Sequence, residues 1–308
     1  LDGWFENDHI KACFGFDSIV GNYASPETPG SAYVLLHHVF GEVDGEKGAW
    51  GHALGGMGSI TKIMKTVCEE NGVDISTKTS VSKVLIENNK ATGVKIDDGS
   101  VIHSDKIVSN LNPKLLFSKL VNKEDVDKEY LRKILNYKCG SGTFRMNVAL
   151  SELPDFTCLP GKITSDHHKS GIVIAPSLTY MDKAFTDAKQ YGWSKNPIVE
   201  MLIPSTVDPS LAPKGKHVAS LFCQQFAPVL PRDKSWHDEK EHAASAIINT
   251  VNKFAPNFKE SILGKSILSP LDLEEKLGLV GGDIMHGVMS LDQMWAARPV
   301  FNLSLIHI

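Results

Sequence analysis

From residue 58 the apolar positions follow a helical period. Ile60, Ile63, Met64, Val67 and Cys68 fall at i, i+3, i+4, i+7 and i+8, with Lys62, Lys65, Glu69 and Glu70 off that stripe. This predicts an amphipathic helix that opens on the glycine run Gly55-Gly56-Met57-Gly58 and closes at Gly72, placed for a left-handed cap. Downstream the character changes to β-branched runs at 73–75, 81–86, 92–96 and 101–102. Turn chemistry at Asn88-Asn89 and Asp97-Asp98-Gly99 divides them, which predicts one strand followed by a β-meander. A short apolar strand over 106–109 then leads to Asn110 and the helix-disfavouring Asn112-Pro113.

Helical spacing returns over 115–135 and again over 238–254, where Ala243, Ala244, Ile247, Val251 and Phe254 share a face ahead of Pro256. Runs at 140–150, 171–175, 198–203 and 217–224 read as strands of a second sheet, punctuated by prolines. The pattern is α/β with α+β character. Boundaries at Trp50, Pro113 and Pro270 divide the chain into 1–50, 51–113, 114–270, 271–300 and a remainder, 301–308, so that one domain is threaded twice through the other.

Composition narrows the function classes. With 308 residues, 42% hydrophobic and 22% charged, the chain is long and apolar enough for a globular core and not for a disordered tract. A net charge of −4, with no basic run, argues against nucleic acid as a partner. No apolar stretch approaches the ~20 residues of a membrane span, so a soluble protein is expected. Five cysteines without a CxxC pair imply neither a disulfide framework nor a zinc ribbon, and fit a reducing compartment: the cytoplasm, or the mitochondrial matrix in a eukaryote.

Candidate chemistry is sparse. There is no P-loop or GxSxG elbow, and the GxG pairs Gly56/Gly58 and Gly140/Gly142 lack a third glycine three residues on. His237 and His242 lie five apart on the expected helix, about 140° around it, which is not a shared ligand face, and no metal is expected. The doublets His37-His38 and His167-His168, taken as strand neighbours, would point to opposite faces, so at most one of each could reach a site. His37 and His38 are candidates for a substrate cleft. The strongest local signal is Gly55-Gly56-Met57: glycines before a helix N-terminus let backbone approach an anion or cofactor closely.

These motifs together resemble a known group. GGMGSI and GVDISTKTSVSKVLIENNKATGVKIDDGSVIHSDKIVSNLNP, preceded by IVGNYASPETPGSAYVLLHHVFGEVDG and followed by LSPLDLEEKLGLVGGDIMHGVMSLDQMWAARPV, resemble phytoene desaturase-like and carotenoid isomerase-like oxidoreductases. Those are a branch of the glutathione-reductase-type, amine oxidase-like FAD proteins. The resemblance implies a partial FAD/NAD(P)-binding Rossmann-like domain, contributed by 51–113 and 271–300, with a mixed-sheet substrate-binding domain from 1–50 and 114–270. It implies FAD as cofactor, leaves NAD(P) open, and implies a small, apolar substrate that gives hydride to flavin, or a flavin-assisted isomerisation.

By the same resemblance, Gly55, Gly56 and Met57 face the flavin and substrate, the backbone of Val81 faces the adenine, and Ser109 and Asn110 end a strand that returns towards the flavin. His286 and Arg298 stand in the stretch before the final FAD motif, as further cleft candidates. No catalytic acid or base is implied. The family's GxGxxG loop and its glycine-rich stretch after Arg298-Pro299 are absent, and FNLSLIHI at 301–308 matches neither. The expectation is therefore a fragment with a non-native tail that binds FAD weakly or not at all. It further predicts Val84, Ile86 or Ile107 left exposed where strands are missing. Two other readings are a non-enzymatic binding protein, like the GDP-dissociation inhibitors on a similar scaffold, and an inactive, incomplete gene product.

Overall fold

A computed structural model describes residues 1–48 and 50–300; the expected tail, 301–308, lies outside them. Helices α1 (Asp8–Asp17) and α2 (Ser31–Val39) and the hairpin of β1 (Glu42–Val43) with β2 (Glu46–Lys47) lead to α3 (Gly58–Glu70) and the meander of β3 (Val81–Glu87), β4 (Lys90–Ile96) and β5 (Val101–His103). Then come α4 (Pro113–Leu115), α5 (Lys128–Asn136), β6 (Thr143–Leu150), α6 (Asp166–Lys169), β7 (Ile172–Ile174) and α7 (Leu178–Tyr191). The chain continues through β8 (Trp193–Leu202), β9 (His217–Phe226), α8 (Trp236–Phe254), α9 (Phe258–Ser261), β10 (Ile262–Leu268) and α10 (Pro270–Leu277).

Five of the strands form one sheet in the order β10-β6-β9-β8-β7. Every pairing in it is antiparallel, so the second sheet is antiparallel rather than mixed. Side chains alternate strictly along β6. Phe144, Met146, Val148 and Leu150 are buried on one face, with Leu221 and Cys223 of β9 and Val199 and Met201 of β8. Ala243, Ala244, Ile247 and Val251 of α8 close that face, which makes this the main core. The helix starts where Ser235 Oγ accepts the His237 N–H at 3.1 Å. Pro197 interrupts the β8–β9 register between Trp193 and Ile198, as a residue without an N–H must.

The opposite sheet face carries a cross-strand row in which Phe222 pairs with Arg145 on one side and Glu200 on the other. Part of this face is covered by α1, the turn after it and α7, through Phe16, Ile19, Met181 and Ala184 packed with Ile198 and Phe222. The remainder stays open, and it positions the site described below.

The meander and the helix before it form as their periodicities predict. In α3, Gly72 takes φ +73° and its N–H caps the Glu69 carbonyl at 3.0 Å. The apolar stripe of α3 is nevertheless uncovered among the described residues, with Ile63 63% and Met64 61% exposed. The expected strands at 73–75 and 106–109 are not strands, for among the described residues no segment pairs with them in a ladder. Exposure also differs from expectation: Val84 is buried and Ile86 half-buried, with β3 packed on the helical turn Leu116–Leu120; Ile107 is half-buried too, whereas Val81, Val101, Ile102 and Val108 are exposed. The expected 115–135 helix breaks into α4, that turn and α5, with Asp127 capping α5 through its bond from the Tyr130 N–H at 2.8 Å.

Candidate functional site

Below the open half of the sheet lies a cavity of about 670 Å³. Its floor is Phe222 and Glu200, its walls are Phe16 and Asp17 of α1 and His38 of α2, and its mouth is the segment Trp50-Gly51-His52. The alternation of β8 puts Glu200 here: Val199 and Met201 enter the core, so the residue between them faces the cavity.

Burial raises the Glu200 carboxyl above its ordinary pKa, an effect that Arg145 opposes and Asp17 reinforces. Burial likewise raises Asp17, with His38 pulling the other way. Arg145 lies with its guanidinium 5.3 Å from the Phe222 ring centroid and donates to Ser220 Oγ at 2.9 Å.

Three groups join the cavity mouth to the glycine corner. His52 lines the cavity, and its Nε2 lies 3.7 Å from Oδ2 of Asp208. The same oxygen accepts the backbone N–H of Gly55 at 2.7 Å. Asp208 is buried, and its other oxygen accepts the N–H and the hydroxyl of Ser210 at 3.0 and 2.6 Å. The Ser210 hydroxyl foremost, and the Gly55 N–H with it, hold that carboxyl below its usual range.

Gly55 and Gly56 have φ of +82° and +83°, a region in which a side chain is strained, and a Cβ on Gly56 would stand 3.3 Å from Leu211 Cδ2. Met57, the residue before α3, is 70% exposed. The corner is thus a backbone turn with no side chains of its own at Gly55 and Gly56, though Leu211 stands close to Gly56.

The other residues singled out from sequence are spread more widely. Val81 opens β3, pairs with Ile96 and is exposed. Ser109 is half-buried, its Oγ accepting the Leu111 N–H at 3.3 Å, and Asn110 is exposed. No hydrogen bond among the described residues joins Val81, Ser109 or Asn110 to the glycine corner.

His37 and His38 stand at the end of α2, not in a strand, so the opposite-faces argument does not apply. His38 turns into the cavity, its Nδ1 2.8 Å from the Val34 carbonyl oxygen, while His37 is exposed. Desolvation lowers the His37 pKa, with His38 and Arg298 adding to it. His167 and His168 are also helical, in α6, where His168 is buried and completes a capping box with Ser165. His286 is exposed, and its carbonyl accepts from Asn112 Nδ2 at 3.4 Å. Arg298 gathers the carbonyls of Met285, Gly287, Val288 and Gln293, which orders that loop.

Asp17, Arg145, Glu200, His52 and Asp208 were not singled out from sequence. A signal existed for two of them: Glu200 is a lone charge in the apolar run IVEML, and Arg145 one in TFRMNVAL. The described residues contain no group of three or more His, Cys, Asp or Glu able to hold a metal, and no helix long and apolar enough to cross a membrane.

Comparison with known proteins follows the same lines. Over 306 residues the chain is 38% identical to pyridine nucleotide-disulfide oxidoreductase domain-containing protein 2 of Rattus norvegicus, covering 97% of this chain and 53% of that protein. The chain is a relative of that oxidoreductase. It is also 26% identical over 262 residues to prolycopene isomerase 2, chloroplastic, of an Oncidium hybrid cultivar, covering 82% of this chain and 39% of the isomerase. No family model matches. Among solved structures, an oxidoreductase from Methanosarcina mazei superposes with a TM-score of 0.57 at 20% identity, over 83% of this chain and 52% of that one, which supports the mixed α/β fold. This chain spans about half the length of the rat relative.

Proposed function

We propose that this chain forms the substrate wall and one cofactor-facing corner of an FAD-dependent oxidoreductase. The observation that carries the reading is the His52–Asp208–Gly55 connection, through which one buried carboxylate joins the cavity to the glycine corner. FAD, when bound, would accept a hydride from a substrate C–H bond or assist an isomerisation. What this chain contributes is placement. Gly55 and Gly56 offer backbone without side chains, Met57 follows them, and the cavity, whose lining includes His52 three residues before Gly55, would hold the substrate.

Gly55, Gly56 and Met57 fit the flavin end of such a cofactor, because a positive-φ turn leaves room for close approach. Val81, Ser109 and Asn110 would serve the adenine side and the strand end. Of the cleft candidates His37, His38 and His286, His38 is the best supported, since it lines the cavity. We place 51–113 and 271–300 in the cofactor domain and 1–50 and 114–270 in the substrate domain. The Asn112–His286 hydrogen bond supports joining 51–113 with 271–300.

Visible flavin absorbance per mole of protein tests this reading, compared between this chain and a longer protein that carries a GxGxxG segment ahead of it. Flavin is expected in the longer protein, with little or none in this chain. A longer protein that folds without flavin would overturn the oxidoreductase reading in favour of a binding protein.

A further inference from the structure

We propose that the cavity selects an amphipathic molecule headed by a basic nitrogen, an aliphatic amine, whose cation is received by Glu200 and Asp17 while its apolar part lies along Phe222, Leu202 and Val207. The proposal rests on the cavity being the substrate wall and adds the class of substrate.

Both carboxyls line the cavity, and burial works against the charged form of each. Neither has a hydrogen-bonding side chain or an ion-pair partner among the described residues. Arg145 does not fill that role for Glu200. The two residues lie on strands two apart, with Phe222 between them, and the guanidinium is committed to the Phe222 ring and Ser220 Oγ. Lys169, the lysine that lines this cavity, lies 3.7 Å from Asp166 Oδ1. Asp17 is in addition the last residue of α1, the end of a helix where the macrodipole disfavours an anion. Two carboxylates in such surroundings are costly for the protein alone and are relieved by a cationic donor.

The same geometry rejects other head groups. An all-hydrocarbon chain would strip more water from Glu200 and Asp17 and give no hydrogen bond in return. A carboxylate-headed chain would meet two like charges. An alcohol could donate one bond but carries no charge. The apolar walls supply affinity for any of these bodies, so discrimination falls to the head group.

Titration calorimetry of the whole protein with octylamine, octanol and octanoate tests this. The expected result is that octylamine binds about tenfold more tightly than octanol, a difference of ~1.4 kcal/mol, and that octanoate binds more weakly than either. Glu200→Gln should remove most of the preference for the amine and leave octanol binding unchanged, which also shows the variant to be folded, and Asp17→Asn should act in the same direction. Equal affinities for octylamine and octanol, or an amine preference that survives in the double variant Glu200→Gln/Asp17→Asn, would overturn it. The calorimetric readout does not involve flavin: a longer protein that carries flavin but shows no amine preference sinks this inference alone, and a longer protein that prefers the amine but folds without flavin sinks the oxidoreductase reading alone.

Discussion

The backbone N–H of Gly55 donates to Asp208 Oδ2 at 2.7 Å, across 153 positions of sequence. The Asp208 carboxylate also caps the turn at Ser210, so a single buried side chain fixes both the glycine corner and the loop after β8. Removing it should free both without touching the core. In Asp208→Ala, backbone amides of 55–59 and 209–211 are expected to exchange faster with deuterium, while those of β6 and β9 keep their protection. Unchanged exchange at Gly55 would mean the hydrogen bond does not hold the corner.

Gly56→Val places a β-branched residue at φ +83°, with its Cβ 3.3 Å from Leu211 Cδ2. A lowered melting temperature is expected, and in the longer protein a loss of flavin occupancy larger than that of Lys65→Ala, whose side chain reaches only Glu69 on the exposed side of α3. Equal occupancy in the two variants would move the flavin away from this corner.

Ile247 is fully buried between α8 and the sheet, whereas Leu263 in the edge strand β10 is 60% exposed. Truncating the first leaves a cavity, so Ile247→Ala should cost about 2–5 kcal/mol in urea unfolding. Leu263→Ala should stay within ~0.5 kcal/mol. Similar losses at both sites would contradict the assignment of the core to the α8 face.

Asp272 closes a capping box at the start of α10: Ser269 Oγ accepts the Asp272 N–H at 3.1 Å, and Asp272 Oδ2 accepts the Ser269 N–H at the same distance. Burial opposes its charge, but Lys276, Ser269 and Lys240 outweigh that and hold the carboxyl well below its ordinary value. A depressed pKa stabilises the folded state above the unfolded value of ~3.9, and that contribution fades as pH falls from there towards the folded value. Asp272→Asn should therefore melt lower than the parent at pH 7 and lose less on acidification, so that the two melting curves converge at low pH. Parallel melting temperatures at every pH would show that the box contributes nothing.

Residue order alone determined what depends on near neighbours. The stripe from Ile60 to Cys68 gives α3, Gly72 ends it, the alternation Phe144-Arg145-Met146-Asn147-Val148 gives β6, and Ala243 to Val251 marks the buried face of α8. Those signals repeat within two turns or a few strand residues, so a short window holds them. Tertiary structure decided whatever needed a partner. Residues 73–75 have the composition of a strand but no ladder, whereas Gly264-Lys265-Ser266 is polar and becomes part of β10 because the edge of β6 is there to pair with. The same distinction governs the site. The glycine corner was legible because its conformational need is local, but Asp17, Glu200 and Asp208 acquire their surroundings from segments far away in the chain: the burial that raises Asp17 and Glu200, and the Gly55 hydrogen bond that helps lower Asp208, exist only once those segments pack.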